Sequence, residues 1–491
     1  MPAEPPQDER SHHSVVFGYL SQPDENEPYR YQHGFGNHHA SEAFPGALPG
    51  HGTNLPQNHP YGLFAEHLNG TSFISSRDAA SHVWMYRARP SVAHRLIKPC
   101  KMGNEVRVES CFLPLNPNVD FTPLTHTWGP PSSQNDASDS VELISFMGSL
   151  RTICGHGDPT LKEGLAVHAY NFNVDMTKEA IVNNDGEFLV IPHCGALHLQ
   201  TEMGHLRVPP GSIAVLPPGI RFKVDRAQPA PSPSASGYIL EVFGTHFRLP
   251  ELGPIGANGL AHSRDFEYPV ASFDVDLDTN ASLTSGKSRH MSSAIGAGDW
   301  TIVTKLAGKF FSYTQPHTPF DVVAWHGRYA PYRYNIAHFS HLVANTDQLD
   351  PTAYCVLTAP SKWPGVSLVD FCVFGEKYAV ARDTLRIPYH HRTMAAEILG
   401  VIKGKYAGSV RKLEAGGLSV EQAYMPHGET YECWNQQSER KLVAEVVSKD
   451  SLAFMFHVSS HVGLTKFATE RHADIRCKAL ATSPMYAQHA H

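Results

Sequence analysis

Cysteine is scarce in this chain, and what there is stands apart. The eight cysteines, at positions 100, 111, 154, 194, 355, 372, 433 and 477, form no CxxC pair. That spacing excludes a disulfide-stapled scaffold, argues against a zinc-cysteine site, and leaves free thiols in a reducing, cytoplasmic setting as the expectation. An excess of positive charge is missing too. Forty Lys and Arg face 47 Asp and Glu, for a net charge of −7, so the basic footprint that nucleic-acid binding leaves is absent. There is no apolar run long enough to span a bilayer. The opening "MPAEPPQDERSHHS" is polar and proline-containing, unlike a signal peptide. Segments with helical periodicity are few.

What remains is a 491-residue composition ordinary for a globular protein, 41% hydrophobic and 18% charged. The length favours two domains. The unusual abundance is histidine, with 31 residues. One metal site uses only a few, so most must serve other ends, and pairs such as His12-His13 and His38-His39 read as solvated.

Along the chain, residues 1–28 are rich in Pro, Glu, Asp and Ser and read as a disordered tail. Residues 29–130 look irregular, and "PPSSQNDASDS" (130–140) reads as an exposed loop. In "GEFLVIPHCGALHLQTEMGHLRVPPGSIAVLPPGIRFKV" (186–224), about five short apolar runs are broken by Gly or Pro-Pro-Gly, the pattern of an antiparallel barrel or sandwich. A second loop, "QPAPSPSASG" (228–237), interrupts that pattern. It returns beyond residue 300 in "KFFSYTQ", "FDVVAWHG", "AYCVLTA", "VSLVDFCVFG", "EILGVIKG", "KLVAEVVS" and "SLAFMFHVS". The expected fold is mostly β. A β-rich domain spans 29–300, a C-terminal barrel spans 301–470, and a tail covers 471–491.

A faint internal repeat supports two barrels. Glu397 to Gly404 fits E-x6-G, the first motif of the cupin barrel, and Glu187 to Gly195 is similar with one residue more. Gly211 to Gly219 fits G-x5-P-x-G, as in the second cupin motif. Phe222 then stands where a cupin metal histidine is due. The first barrel therefore reads as metal-free and the second as metal-bearing, a bicupin-like arrangement.

"PYHHRTMAAEILGVIKG" (388–404) carries the candidate metal chemistry. His391 and Glu397 are six residues apart, about 20 Å along a strand, so they can share an ion only if the chain reverses between them. His427, in "AYMPHGETYE", is the best candidate for a third ligand because its Pro-His-Gly setting resembles the second cupin motif, where a tight turn presents a histidine inward. Two histidines and one carboxylate suit non-haem Fe(II) with open positions, although zinc accepts the same set. Alternation along a strand lets only one of His390 and His391 point inward, and spacing does not choose. In "PFDVVAWHGRYAPYRYN" (319–335), an apolar strand delivers His326 beside tyrosines. It is a candidate general base on a phenol, or a structural residue closing the strand end.

The chain resembles the homogentisate 1,2-dioxygenase family. The matching stretches are "GFGN" (34–37), "PYGLFAEHLNGTSF" (60–73), "GDPTLKEGLAVH" (157–168), "DGEFLVIP" (185–192), "LPELGPIGANGLAHSRDF" (249–266), "PFDVVAWHGRYAPYRYN" and "LAFMFHVSS" (452–460), with the metal region between the last two. The resemblance implies Fe(II) held by His391, Glu397 and His427, a catalytic base at His326, and substrate contacts at Tyr406 and at the ligand His427. It implies a small aromatic acid and O2 as substrates, cleavage of homogentisate to maleylacetoacetate in tyrosine catabolism, and a homo-oligomer, a hexamer of two trimers. The chain departs from the family at "FGEKY" (374–378), at His390 where tyrosine is usual, at "HRTMAAEI", and at Glu421 where histidine is usual. These departures leave two alternatives: a related dioxygenase acting on a gentisate-like or other hydroquinone-like acid, and a catalytically silent metal-binding bicupin.

Overall fold

The computed structural model describes residues 27–100, 108–130, 143–228, 232–251, 260–273, 298–342, 351–406, 413–429 and 431–470, with short strands at 15–16 and 478–479. The two expected tails and the 130–140 loop lie almost wholly outside them.

The described chain is built from strands. The five runs expected between 186 and 224 are five strands: Gly186–Cys194, Leu197–Thr201, Gly204–Val208, Ser212–Leu216 and Arg221–Arg226. Leu197–Thr201 and Gly204–Val208 bury every second residue, which a strand with one face on a core requires. They pair in a seven-stranded sheet that also holds Glu179–Asn183, Trp300–Leu306 and Lys309–Gln315. Gly186–Cys194 and Ser212–Leu216 lie in a ten-stranded sheet beside Ala235–Phe243 and Glu163–Phe172. Phe172, Phe188 and Ile239 from the larger sheet and Leu199, Phe222 and Val303 from the smaller one share a single core. This is the first barrel. Phe222, 1% exposed, is one of its packing residues, and Glu187 accepts the backbone N–H of Phe247 at 2.7 Å.

Trp300–Leu306 runs parallel to Glu179–Asn183, and Tyr332–Asn335 pairs with Ser212–Leu216. The N-terminal sheets therefore extend to residue 335, and the expected division near 300 falls inside them. The reason is that the strands after 300 have the same apolar signature as those of the second barrel, and only their hydrogen-bonding partners assign them.

The second barrel is built on a seven-stranded sheet in the order Cys355–Pro360, Ser367–Phe374, Leu452–Val458, Ala396–Lys403, Leu418–Glu421, His126–Trp128, Lys478–Ala479. Phe371, Ile398, Phe454 and Phe456 from this sheet and Leu189 and Leu240 from the ten-stranded sheet belong to one continuous apolar cluster, so the two barrels share a core. The chain also exchanges strands. His126–Trp128 pairs with Leu418–Glu421, and Gly463–Thr465 pairs with the first-barrel strand Arg151–Asp158.

A five-stranded sheet, Val15–Val16, His39–Glu42, Val322–Gly327, His82–Arg87 and Phe64–Asn69, completes the N-terminal part. It orders a region that looks irregular in sequence. His39 is buried rather than solvated, with Nε2 3.0 Å from the carbonyl of Gly34 and its ring over Tyr268.

Buried histidines give the fold an acid sensitivity. Burial pushes His39, His193 and His317 down from the ordinary value of 6.5 to about 4. Between pH 6.5 and 4 the unfolded chain binds protons at these sites and the folded one does not, so stability falls as pH falls through that window. Melting temperatures measured from pH 7 to pH 4 will decline over this range. A flat profile would refute the expectation.

Candidate metal centre

The sequence demanded a chain reversal between His391 and Glu397, and the structure supplies one. His391 forms an isolated bridge with His427, each backbone N–H donating to the other's carbonyl at 3.0 and 3.1 Å. The chain then bends through residues 392–395, where the carbonyl of Thr393 accepts the N–H of Tyr424 at 2.7 Å. Glu397 follows near the start of the strand Ala396–Lys403. The left-handed backbone of Tyr424 (φ 61°) turns the other arm. Gly428 is needed beyond it, because a Cβ there would stand 2.9 Å from His390 Cδ2 at a φ of 144°.

His391 Nε2 lies 3.2 Å from Glu397 Oε1 and His427 Nε2 lies 3.2 Å from Glu397 Oε2. One ligand atom from each of the three residues lies within 4.8 Å of the other two. The two adjacent histidines point to different partners. His391 faces the carboxylate, whereas His390 directs Nε2 to the carbonyl of Glu429 at 2.7 Å.

Both rings are oriented from behind. His391 Nδ1 is 3.0 Å from the carbonyl of Tyr389, and His427 Nδ1 is 2.9 Å from that of Met425. Carbonyls only accept, so each Nδ1 carries a proton and each Nε2 is the ligand nitrogen. With acceptors at both nitrogens the rings favour a proton. Glu397 raises His391 against an opposing effect of burial, and in His427 the carboxylate overcomes the lowering by burial. Burial alone would raise the Glu397 carboxyl, but the hydrogen bonds from both histidines hold it at about 2. A half-buried anion between two imidazoles is a site that a cation can occupy, and this donor set fits a divalent transition metal.

Tyr406 belongs to the same neighbourhood. Burial raises its phenol well above the ordinary value, and the nearby charges of Glu429 and Glu397 add to the rise. It therefore stays protonated and can donate. His326 sits elsewhere in the fold, on the strand Val322–Gly327 of the five-stranded sheet, with hydrogen bonds to His38 and Tyr86. Neither of those partners was singled out from sequence. His38 carried the wrong signal, since a histidine pair in a polar stretch looks solvated, and Tyr86 carried none. Glu421 faces Thr125, whose hydroxyl donates to Oε2, and its charge contributes to raising His427.

Two β-barrels sharing a core, with two histidines and one carboxylate gathered in the second, define a bicupin-like protein with a candidate metal site. Residues 30–336 match the family described as homogentisate 1,2-dioxygenase N-terminal, and residues 338–479 match homogentisate 1,2-dioxygenase C-terminal. The chain belongs to the homogentisate 1,2-dioxygenase family. It is 40% identical over 450 residues to the homogentisate 1,2-dioxygenase of Caenorhabditis elegans, covering 91% of this chain and 94% of the relative. It is 38% identical over 443 residues to that of Homo sapiens, covering 89% and 92%. Among solved structures, an oxalate decarboxylase of Bacillus subtilis aligns over 70% of this chain and 79% of its own, with a TM-score of 0.27 and 11% identity.

Proposed function

We propose that the protein cleaves homogentisate with O2 to maleylacetoacetate. The observation that carries this reading is the convergence of His391, Glu397 and His427 within 4.8 Å, in a chain whose two halves both match the family. These three side chains would hold Fe(II). When bound, Fe(II) supplies open coordination positions and the redox capacity that O2 chemistry needs. Glu397 compensates the cation's charge, and the carbonyls behind His391 and His427 keep their Nε2 atoms aimed at it. Tyr406 donates its phenolic proton to the bound substrate, beside His427. His326, the base by family resemblance, receives the proton of a ring hydroxyl, which makes the ring electron-rich. The ring opens between the carbon bearing the acetate arm and the adjacent hydroxylated carbon. A homo-oligomer, a hexamer by family resemblance, would cover Phe73, Ile74 and Leu115, each above 90% exposed in the single chain.

Anaerobic loading with Fe(II), then O2 uptake on homogentisate with appearance of the maleylacetoacetate chromophore, tests the reading. Absence of uptake by iron-loaded protein would overturn it. Glu421 gives a second reading its ground, because a carboxylate near His427 requires the substrate's own carboxylate to lie away from that side, and a ring with a differently placed acid group meets that demand. Uptake with gentisate or another hydroquinone-like acid, and not with homogentisate, would select that alternative.

The His326 role has its own test. His326→Ala will keep its iron, as the side chain contributes nothing to the triad, and will lose about 10²- to 10⁴-fold in turnover, the usual contribution of a general base. Steady-state O2 uptake alongside iron content checks this. Turnover at the parental rate would remove His326 from the mechanism.

A further inference from the structure

The hydrogen bonds around His326 run in one direction. The Tyr86 hydroxyl lies 2.7 Å from the carbonyl of Thr53. A carbonyl can only accept, so the single phenolic proton is committed there. The Tyr86 oxygen also lies 3.0 Å from His326 Nε2, and it can take part only as acceptor. His326 Nε2 therefore carries the ring's proton. Nδ1 is left with its lone pair, and His38 Nε2 stands 3.1 Å from it. His38 must donate from Nε2, which leaves His38 Nδ1 as the basic nitrogen of this pair that no described residue engages. His38 is exposed, whereas His326 is half-buried and Tyr86 fully buried. Burial holds both imidazoles below their ordinary value, with His82 near both rings and Arg328 near His38 adding to the effect. Neutral imidazoles with these tautomers are thus the resting state.

Neither nitrogen of His326 is open to a ligand in this arrangement. We propose that His38 is a further catalytic residue, the group that meets the substrate hydroxyl and relays its proton to His326. The inference rests on the reading of His326 as the base. In the step, the phenolic O–H bond breaks and its proton goes to His38 Nδ1. The proton on His38 Nε2 passes to His326 Nδ1. The products are a phenolate, a neutral His38 in its other tautomer, and a His326 imidazolium whose Nε2–H still donates to Tyr86. The proton returns by the same path, and no oxidant or reductant takes part. Tyr86 is a positioning residue, since with the Thr53 carbonyl behind it its oxygen fixes which nitrogen of His326 is basic.

The test uses the full-length, iron-loaded protein with three variants, each checked for iron content and melting temperature. His38→Gln retains a donor for His326 Nδ1 but cannot accept a proton. It is expected to keep its iron and fold and to lose about 10²-fold or more in turnover. His38→Ala is expected to lose a similar factor and to regain activity when imidazole is added, because a free imidazole can occupy the vacated position. His326→Ala is the control. A His38→Gln protein as fast as the parent, with His326→Ala inactive, overturns the relay and leaves the base in place. A His38→Ala protein that imidazole does not restore also overturns it. Parental turnover by His326→Ala removes the base reading and the relay together.

Discussion

His427→Ala will not retain Fe(II). After anaerobic loading and desalting, the variant will carry iron at the level of a non-specific control, and O2 uptake on homogentisate will be abolished. The argument is geometric. His427 provides one of the three donors gathered among the described residues, its Nε2 facing Glu397 Oε2 across 3.2 Å. The remaining pair, His391 and Glu397, is six residues apart and held together by a bend that His427 itself anchors through its backbone bridge to His391. Alanine keeps that backbone bridge, so the fold persists and the loss is confined to the ligand set. Metal analysis together with a melting temperature separates the two effects. Iron retained in proportion to protein would sink the three-ligand assignment.

Lys305→Met will destabilise the first barrel by about 3–5 kcal/mol, the usual cost of leaving a buried charge unpaired. Lys305 is 1% exposed, and its ammonium lies 2.9 Å from Asp185 Oδ2 and 2.8 and 2.9 Å from the two oxygens of Glu241. Glu241 is wholly buried and also meets His168 Nε2 at 3.1 Å and Asn183 Nδ2 at 2.6 Å. Burial would raise its carboxyl, but Lys305 and His168 hold it at about 2, so it is ionised at neutral pH. Methionine leaves Asp185 and Glu241 without their cation, in a place that water does not reach. Calorimetry will show a melting temperature lower by roughly 6–20 °C on the scale for domains of 150–250 residues. The double variant Lys305→Met with Glu241→Gln removes one of the stranded charges and will recover part of the loss. A single variant as stable as the parent would show that the network is not paired in solution.

The candidate ligands were legible because each sits in a local pattern with a geometric meaning. Glu397 heads an apolar strand, where a charge needs a partner, and His427 sits in a Pro-His-Gly turn. Choosing His391 over His390 required the family resemblance, and the structure gives the reason, since the two rings of adjacent residues face opposite sides. His38 and Tyr86 were not legible beside His326. His38 precedes the strand His39–Glu42 and Tyr86 lies within His82–Arg87, both far from His326 in sequence, and they meet only because these two strands flank Val322–Gly327. His39 was misread for a related reason: the ring of Tyr268 that covers it lies some 230 positions away, as the His39–Tyr268 contact shows.

The sequence by itself determined the strands of 186–224, most of those beyond 300 and the residue types able to hold a metal, because side-chain alternation and turn chemistry are written within a few neighbouring positions. Only the tertiary structure decided which strands pair. It placed residues 300–335 with the N-terminal sheets, carried His126–Trp128 into the second barrel and returned Gly463–Thr465 to the first. Sheet partners join through backbone N–H and C=O groups that every residue carries, so the pairing leaves little local mark on the sequence. It is settled by which apolar faces can close a common core.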